Sequence, residues 1–277
     1  MPAYDTISGT HRKVKDIYDK VGGTLRKVKD GYDIIGGSFR KYHTSEVLVT
    51  CTGNHTVQDV TMSSGDFRLI TITSSGNISF SENCVAEVWL CGGGAYSNGN
   101  NKSINGGAGA YSASNSAMSL VSGTNYSASI GAAASNTSFN GLSASGVNSS
   151  SGGTGGGAGP YSSAGSGNGV SKVPFGDTAY FLSKPCAGGG GGQYQFGGGT
   201  IYTSGNGGSN GASGTTSGSS SGGSSGGGYG GGPSSSQKGW NGSYYGSGGG
   251  GGGQYDDTTT SSAGAGYQGL IYIRIPT

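Results

Sequence analysis

The stretch "GSGGGGGGQYDD", residues 246–257, holds six consecutive glycines, and shorter runs recur from Gly92 onward. Such a run is either a tether between working parts or the packed interior of one, and the fold turns on which. All but ten of the 64 glycines lie within residues 92–266. The same region carries only seven charged side chains: Lys102, Lys172, Asp177, Lys184, Lys238, Asp256 and Asp257. Disorder usually pairs low hydrophobicity with high net charge, and this region has the first without the second. Fixing one backbone unit costs about 1–2 kcal/mol, with glycine the worst case. A compact state therefore needs its own source of cohesion. A polyproline-II-type helix has about three residues per turn and no internal hydrogen bonds, so its amides point outward. Without Cβ atoms, several such helices can pack side by side and exchange lateral N–H···O=C bonds. Each contributes about 0.5–1.5 kcal/mol net, and Cα–H···O contacts add a smaller term. One helix fails, whereas a bundle sealed by Tyr, Phe and Leu at its edges holds. The glycines are read as core. A flexible Gly/Ser linker fits less well, because the region is far longer than most linkers. Collagen is excluded, since strict Gly-X-Y repetition is absent and proline is scarce.

The flanks support that reading. In residues 46–91, "EVLVTC", "FRLITIT", "NISFS" and "AEVWLC" are β-rich runs separated by "GN", "SSGD" and "SSGN" turns. They predict an antiparallel sheet or small sandwich of four or five strands. The chain ends "GYQGLIYIRIPT", where Leu270, Tyr272 and Arg274 alternate with Ile271, Ile273 and Ile275. That is a strand with one clearly apolar face, expected to pair near "VAEVWLC". A region inserted between adjacent strands must bring its own ends together, which a tether need not do.

Residues 1–42 repeat with a period of 14: "YDTISGTHRKVKDI", "YDKVGGTLRKVKDG" and "YDIIGGSFRKY" align without gaps. Gly-Gly and Asp-Gly turn signals separate short alternating runs. Each unit reads as a β-hairpin too small to bury a face alone, so it must stack or dock. The expected fold is mainly β plus polyglycine-II, with almost no α-helix. Its parts are three hairpin repeats for attachment or oligomerisation (1–43), a β-rich domain (44–91) completed by strand 267–277, and a glycine-rich polyglycine-II domain with exposed loops (92–266).

Composition excludes several functions. Net charge is +2, and the basic excess sits in the hairpin repeats, where "RKVK" reads as a solvated strand face. Residues 92–266 contain no arginine, so RGG-type RNA binding is not expected, and no nucleic-acid partner is called. "MPAYDTISGTHRKVKD" lacks the apolar core of a signal peptide, and no run of about 18 apolar residues predicts a membrane span. Cys51, Cys84, Cys91 and Cys186 show no CxxC spacing and read as reduced, partly buried thiols, with a Cys51–Cys84 bridge left open. His11, His43 and His55 form no zinc motif, and Asp256–Asp257 reads as a loop turn rather than a Ca²⁺ site or acid/base couple. GxSxG occurs at Ser209, Ser224 and Ser225, as chance allows in Gly/Ser-rich sequence, without the strand–elbow–helix context of a nucleophile. No Gly-Lys step offers a Walker A loop. No catalysis and no cofactor are expected.

What remains is surface chemistry. Tyr, Ser, Gly and Asn are the palette of antibody paratopes, where tyrosine gives large contact area at low entropy cost. "WNGSYY" (Trp240, Tyr244, Tyr245) and "QYQF" (Tyr194, Phe196) are the first candidates for receptor contact, followed by Tyr202, Tyr180 and Tyr161. The alternative is that these rings cap the glycine bundle.

The "YDxxGGxxRKVKD" hairpins, the junction "VAEVWLCGGG" and the ending "GYQGLIYIRIP" resemble glycine-rich tail proteins of bacteriophages and prophages. "NYSASIGAA" and "TSFNGLSASG" also look like pieces of that family's glycine-rich domain. The specific matches cover roughly residues 4–42, 46–94 and 265–276, and the middle matches mostly by composition. The middle is also similar in style to the tip adhesins of long tail fibres in T-even-like phages, although the N-terminus differs from their attachment domain. The resemblance implies a polyglycine-II sandwich on a virion tail whose loops touch a host-cell receptor, either a glycan or an outer-surface protein. On this reading the repeats mount the protein on other tail proteins or on symmetry mates in a homo-oligomer. A purely structural virion or extracellular fibre component is the alternative. An ice-binding protein would want regularly spaced threonines, and these are irregular.

Overall fold

The computed structural model describes residues 47–96, 107–147, 173–182, 185–187, 239–251, 262 and 264–277 in full, together with the backbone of ten further strands. Tyr161, Asp256–Asp257 and the last two glycines of the run at 248–253 lie outside the described residues. The chain divides into two compact units, Met1–Leu48 with Thr277, and Val49–Pro276. The fold is mainly β. Among the described residues there is no α-helix, only a 3-10 turn at Pro174–Gly176.

The first unit holds three antiparallel hairpins: β1 (Tyr4–Ile7) with β2 (Thr10–Lys13), β3 (Tyr18–Val21) with β4 (Thr24–Lys27), and β5 (Asp30–Ile35) with β6 (Ser38–Thr44). The sequence repeat is a repeat of register. Tyr4, Tyr18 and Tyr32 stand opposite Lys13, Lys27 and Lys41, while Asp5, Asp19 and Asp33 stand opposite Arg12, Arg26 and Arg40.

The second unit begins with β7 (Val49–Cys51), β8 (His55–Met62), β9 (Gly65–Ile72), β10 (Gly76–Phe80) and β11 (Cys84–Cys91). It continues with β12 (Ser112–Leu120), β13 (Tyr126–Ser129), β14 (Thr137–Phe139) and β15 (Leu142–Ala144). Later come β16 (Tyr194–Phe196), β17 (Thr200–Tyr202), β18 (Gln254–Tyr255), β19 (Thr259–Thr260) and β20 (Leu270–Pro276). Two five-stranded sheets, β15-β14-β13-β10-β7 and β12-β11-β20-β9-β8, contact each other through β11, β12 and β20 against β14 and β15. The register puts Ile271, Ile72 and Leu90, and Ile273, Ile70 and Val88, side by side on one face, all buried. β16 to β19 form a separate sheet, in which β16 and β18 run parallel.

Strand β20 lies between β11 and β9, pairing Cys91 with Leu270 and Tyr272 with Thr71. It is buried on both faces, from Leu270 through Ile275. Alternation suggested one apolar face; the second face carries Leu270, Tyr272 and Arg274 into another core, with Leu270 and Tyr272 clustering with Phe67, Leu69, Trp89 and Phe181.

Between the strands, glycine segments pack by main chain alone. Gly92 to Ala95 continue from β11, are fully buried and belong to no strand or helix. Their hydrogen bonds run to five other segments. Ala95 N donates to Ala108 O (2.8 Å), Gly93 N to Ser135 O (2.9 Å) and Gly94 N to Tyr267 O (2.9 Å), while Gly93 O accepts from Val147 N (3.1 Å) and Ala95 O from Gly249 N (3.1 Å). Residues 246–250 are bonded in the same way. Gly246 O accepts from Ala110 N (2.8 Å) and Ser247 O from Tyr267 N (2.8 Å); Gly248 N donates to Ala187 O (2.9 Å) and Gly250 N to Trp240 O (2.7 Å). The first four residues of the six-glycine run are buried. A Cβ added at Gly94 or Gly248 would fall well inside 3.0 Å of the backbone of Ser247 or Gly107. Peptide groups here occupy the place of core side chains, and their polar atoms pair with one another as buried backbone groups must.

Candidate functional site

One carboxylate positions the site. Asp177 is 3 % exposed, in a region with few charges. Its Oδ2 accepts from Ser63 N (2.7 Å) and Ser63 Oγ (2.8 Å), in the turn between β8 and β9. Its Oδ1 accepts from Tyr180 N (2.9 Å) and Ala179 N (3.1 Å). These donors, the Tyr180 amide foremost, hold the carboxyl at about 2, below its ordinary 3.8. Asp177 therefore folds residues 177–180 into a turn and anchors that turn to the β8–β9 hairpin.

The anchored segment covers the second face of β20. Phe175 lies over the Arg274 guanidinium, 4.5 Å from ring centroid to Cζ, with Phe67 at 4.3 Å. Arg274 is 5 % exposed and grips Glu87 with Nη2 at 3.0 and 2.9 Å, and its Nη1 donates to Ser64 Oγ (3.1 Å). A single nitrogen shared by both carboxylate oxygens, with two aromatic rings over the guanidinium plane, lets this cation be buried. Phe175 adopts φ +54°, a left-handed conformation that costs a bulky residue of order 1–3 kcal/mol. Its stacking on Arg274 and its packing against Phe181 (6.0 Å) offset that strain.

Phe181 then packs against Tyr272 at a tilt of 55° (5.0 Å) and meets Tyr180 edge-on (4.9 Å), and Gln58 Nε2 donates to Tyr180 Oη (2.7 Å). From the other side come Tyr244 and Tyr245, whose rings meet at 5.4 Å. Tyr244 Oη lies 3.5 Å from Tyr272 Oη, and Tyr245 packs edge-on against Tyr267 at 5.5 Å. Between these walls is an open groove of about 310 Å³. Tyr180, Phe181, Tyr244 and Tyr272 supply its rings, Leu69 and Leu182 its aliphatic surface, and Gln58 and Thr71 further polar groups. Burial, then the Tyr244 hydrogen bond, raises the Tyr272 phenol above its ordinary value; burial likewise raises Tyr245.

Of the residues singled out by sequence, Tyr180 and Tyr244 meet at the groove, and Tyr245 packs behind Tyr244. Trp240 is 65 % exposed and does not line it. Tyr194 and Phe196 are on β16, and Tyr202 is on β17 opposite Tyr194. Sequence reasoning did not select Gln58, Thr71, Leu182 or Tyr272. The alternation of β20 grouped Tyr272 with Leu270 and Arg274, but nothing in one strand says that a distant turn will cover that face. All four cysteines are thiols. Among the described residues there is no cluster of three or more metal-ligating side chains and no helix long and apolar enough to cross a membrane. The chain matches no protein-family model and no curated protein.

Proposed function

We propose that the protein is a receptor-binding component of a bacteriophage or prophage tail, in which a polyglycine-II bundle holds aromatic side chains rigidly toward the host surface and no chemical turnover occurs. The observation that carries this reading is the placement of exposed aromatics on main chain that follows, or is hydrogen-bonded to, buried alanine and glycine. Tyr96 follows buried Ala95, Tyr111 follows buried Ala110, and Trp240 sits between Gly239 and Asn241 with its carbonyl bonded to buried Gly250. Such rings have little main-chain freedom left to lose on binding, which is how preorganisation raises affinity. Individually weak contacts would gain about 10²–10⁴ from several copies on one particle.

The test is adsorption to host cells. Trp240→Ala, Tyr96→Ala and Tyr111→Ala each remove a largely exposed ring, so each should slow adsorption while the protein still folds. Tyr244 and Tyr245 serve less well as first targets, because their rings also pack against Tyr272 and Tyr267. That packing is what favours the second reading, a structural fibre component. Wild-type adsorption by all three exposed-ring variants would establish that reading instead.

A further inference from the structure

The groove between Tyr180 and Tyr244 selects its occupant by chemistry. None of its eight lining residues carries a formal charge, so a phosphate, uronate or sialate would find no Lys or Arg to pair with. An aliphatic chain would strip water from Gln58 and Thr71 without replacing their hydrogen bonds. A ligand with one apolar face and a rim of hydroxyls satisfies both kinds of wall. We infer that this groove binds an uncharged pyranose ring of a surface glycan. The biological setting rests on the adhesin reading; the binding itself does not.

The geometry supports this in detail. The rings of Tyr180, Phe181 and Tyr244 give the apolar C–H face of a sugar a surface to lie on. Gln58 donates to Tyr180 Oη, which leaves the phenol hydrogen to donate to a ligand and the Gln58 carbonyl to accept from one. Tyr244 and Tyr272 share one hydrogen between their oxygens at 3.5 Å, so the second is available to a sugar hydroxyl. At about 310 Å³, the groove lies at the lower end of ligand sites, roughly 300–1,000 Å³, a size for one or two rings rather than a long oligomer.

The full-length protein should be titrated with methyl glycosides of glucose, galactose, mannose and N-acetylglucosamine, and with the acidic methyl glucuronide and methyl sialoside, following tyrosine ring signals by NMR. At least one neutral glycoside should give saturable shifts at Tyr180 and Tyr244, with Kd on the order of 1 mM. Tyr180→Phe and Gln58→Ala should each weaken binding about 2–10-fold, and Tyr180→Ala should abolish it. Leu182 is 80 % exposed, so Leu182→Ala should weaken binding without altering the fold. The inference is overturned if no neutral glycoside binds, if only acidic ones do, or if binding is unchanged in the Tyr180→Ala and Leu182→Ala variants. Adsorption assayed in parallel separates the two readings. A protein blind to sugars that adsorbs to cells until they are treated with protease removes the glycan and keeps the adhesin. A protein that binds sugars but no cells does the reverse.

Discussion

Asp177 and Arg274 are the two buried charged residues among the described residues, and both hold the turn that walls the groove. Asp177 titrates at about 2 when folded and 3.8 ordinarily. Its lowered value means that ionisation favours the folded state. That contribution is complete above about pH 4, shrinks as pH falls from 3.8 toward 2, and is absent below. Amide protection at Tyr180 and Phe181, measured against the intrinsic exchange rate at each pH, should therefore fall across that window in the wild type. Asp177→Asn should exchange faster at neutral pH and lose this acid dependence. Arg274→Ala leaves Glu87 without its partner and takes the cation from the Phe67 and Phe175 rings; Glu87 keeps some contact with water, so the cost in denaturant unfolding should be about 1.5–3 kcal/mol. Burial, foremost, shifts the Tyr272 phenol of the groove upward. Glycoside affinity should accordingly stay flat from about pH 5 to 9.

At the scale of elements, the glycine segments and the strands divide the work of cohesion. Gly94→Ala and Gly248→Ala each push a methyl group into a neighbouring main chain, which cannot rotate aside as a side chain would. Each should destabilise by at least about 1–3 kcal/mol, seen as a lowered melting temperature. Gly123 is the contrast, with φ +71° and nothing within 4 Å of an added Cβ. Asparagine tolerates that conformation, so Gly123→Asn should stay within about 0.5 kcal/mol of the wild type. Much of this was legible in sequence. Runs such as "FRLITIT" announced β9, the isoleucines of β20 announced a buried face, and the scarcity of charge among glycines announced a core rather than a tether. The strands β12 to β15 were not legible, since Ser- and Ala-rich sequence has no apolar period and the pairing is made by backbone. Nor was the groove. It arises where Asp177 meets a serine 114 positions away, a contact without a local signal.

For the whole molecule, the division near residue 48 predicts that a chain beginning at Val49 keeps the melting transition of the larger unit. In the adhesin reading, such a chain still binds cells but fails to join the particle; normal incorporation would show that the 14-residue repeats are not the mounting device. The main-chain core of the larger unit has a thermal consequence as well. Heat capacity rises when apolar surface is exposed and falls when polar surface is exposed, and ordinary domains balance at about 12–15 cal/mol/K per residue. Unfolding Gly92–Gly94 and Gly248–Gly250 exposes mostly peptide groups, so calorimetry should give a value per residue below that range. A smaller heat capacity flattens the curve of stability against temperature. The protein should then lose little stability between the cold of open water and the warmth of a host, a breadth that a core of leucine and isoleucine would not provide.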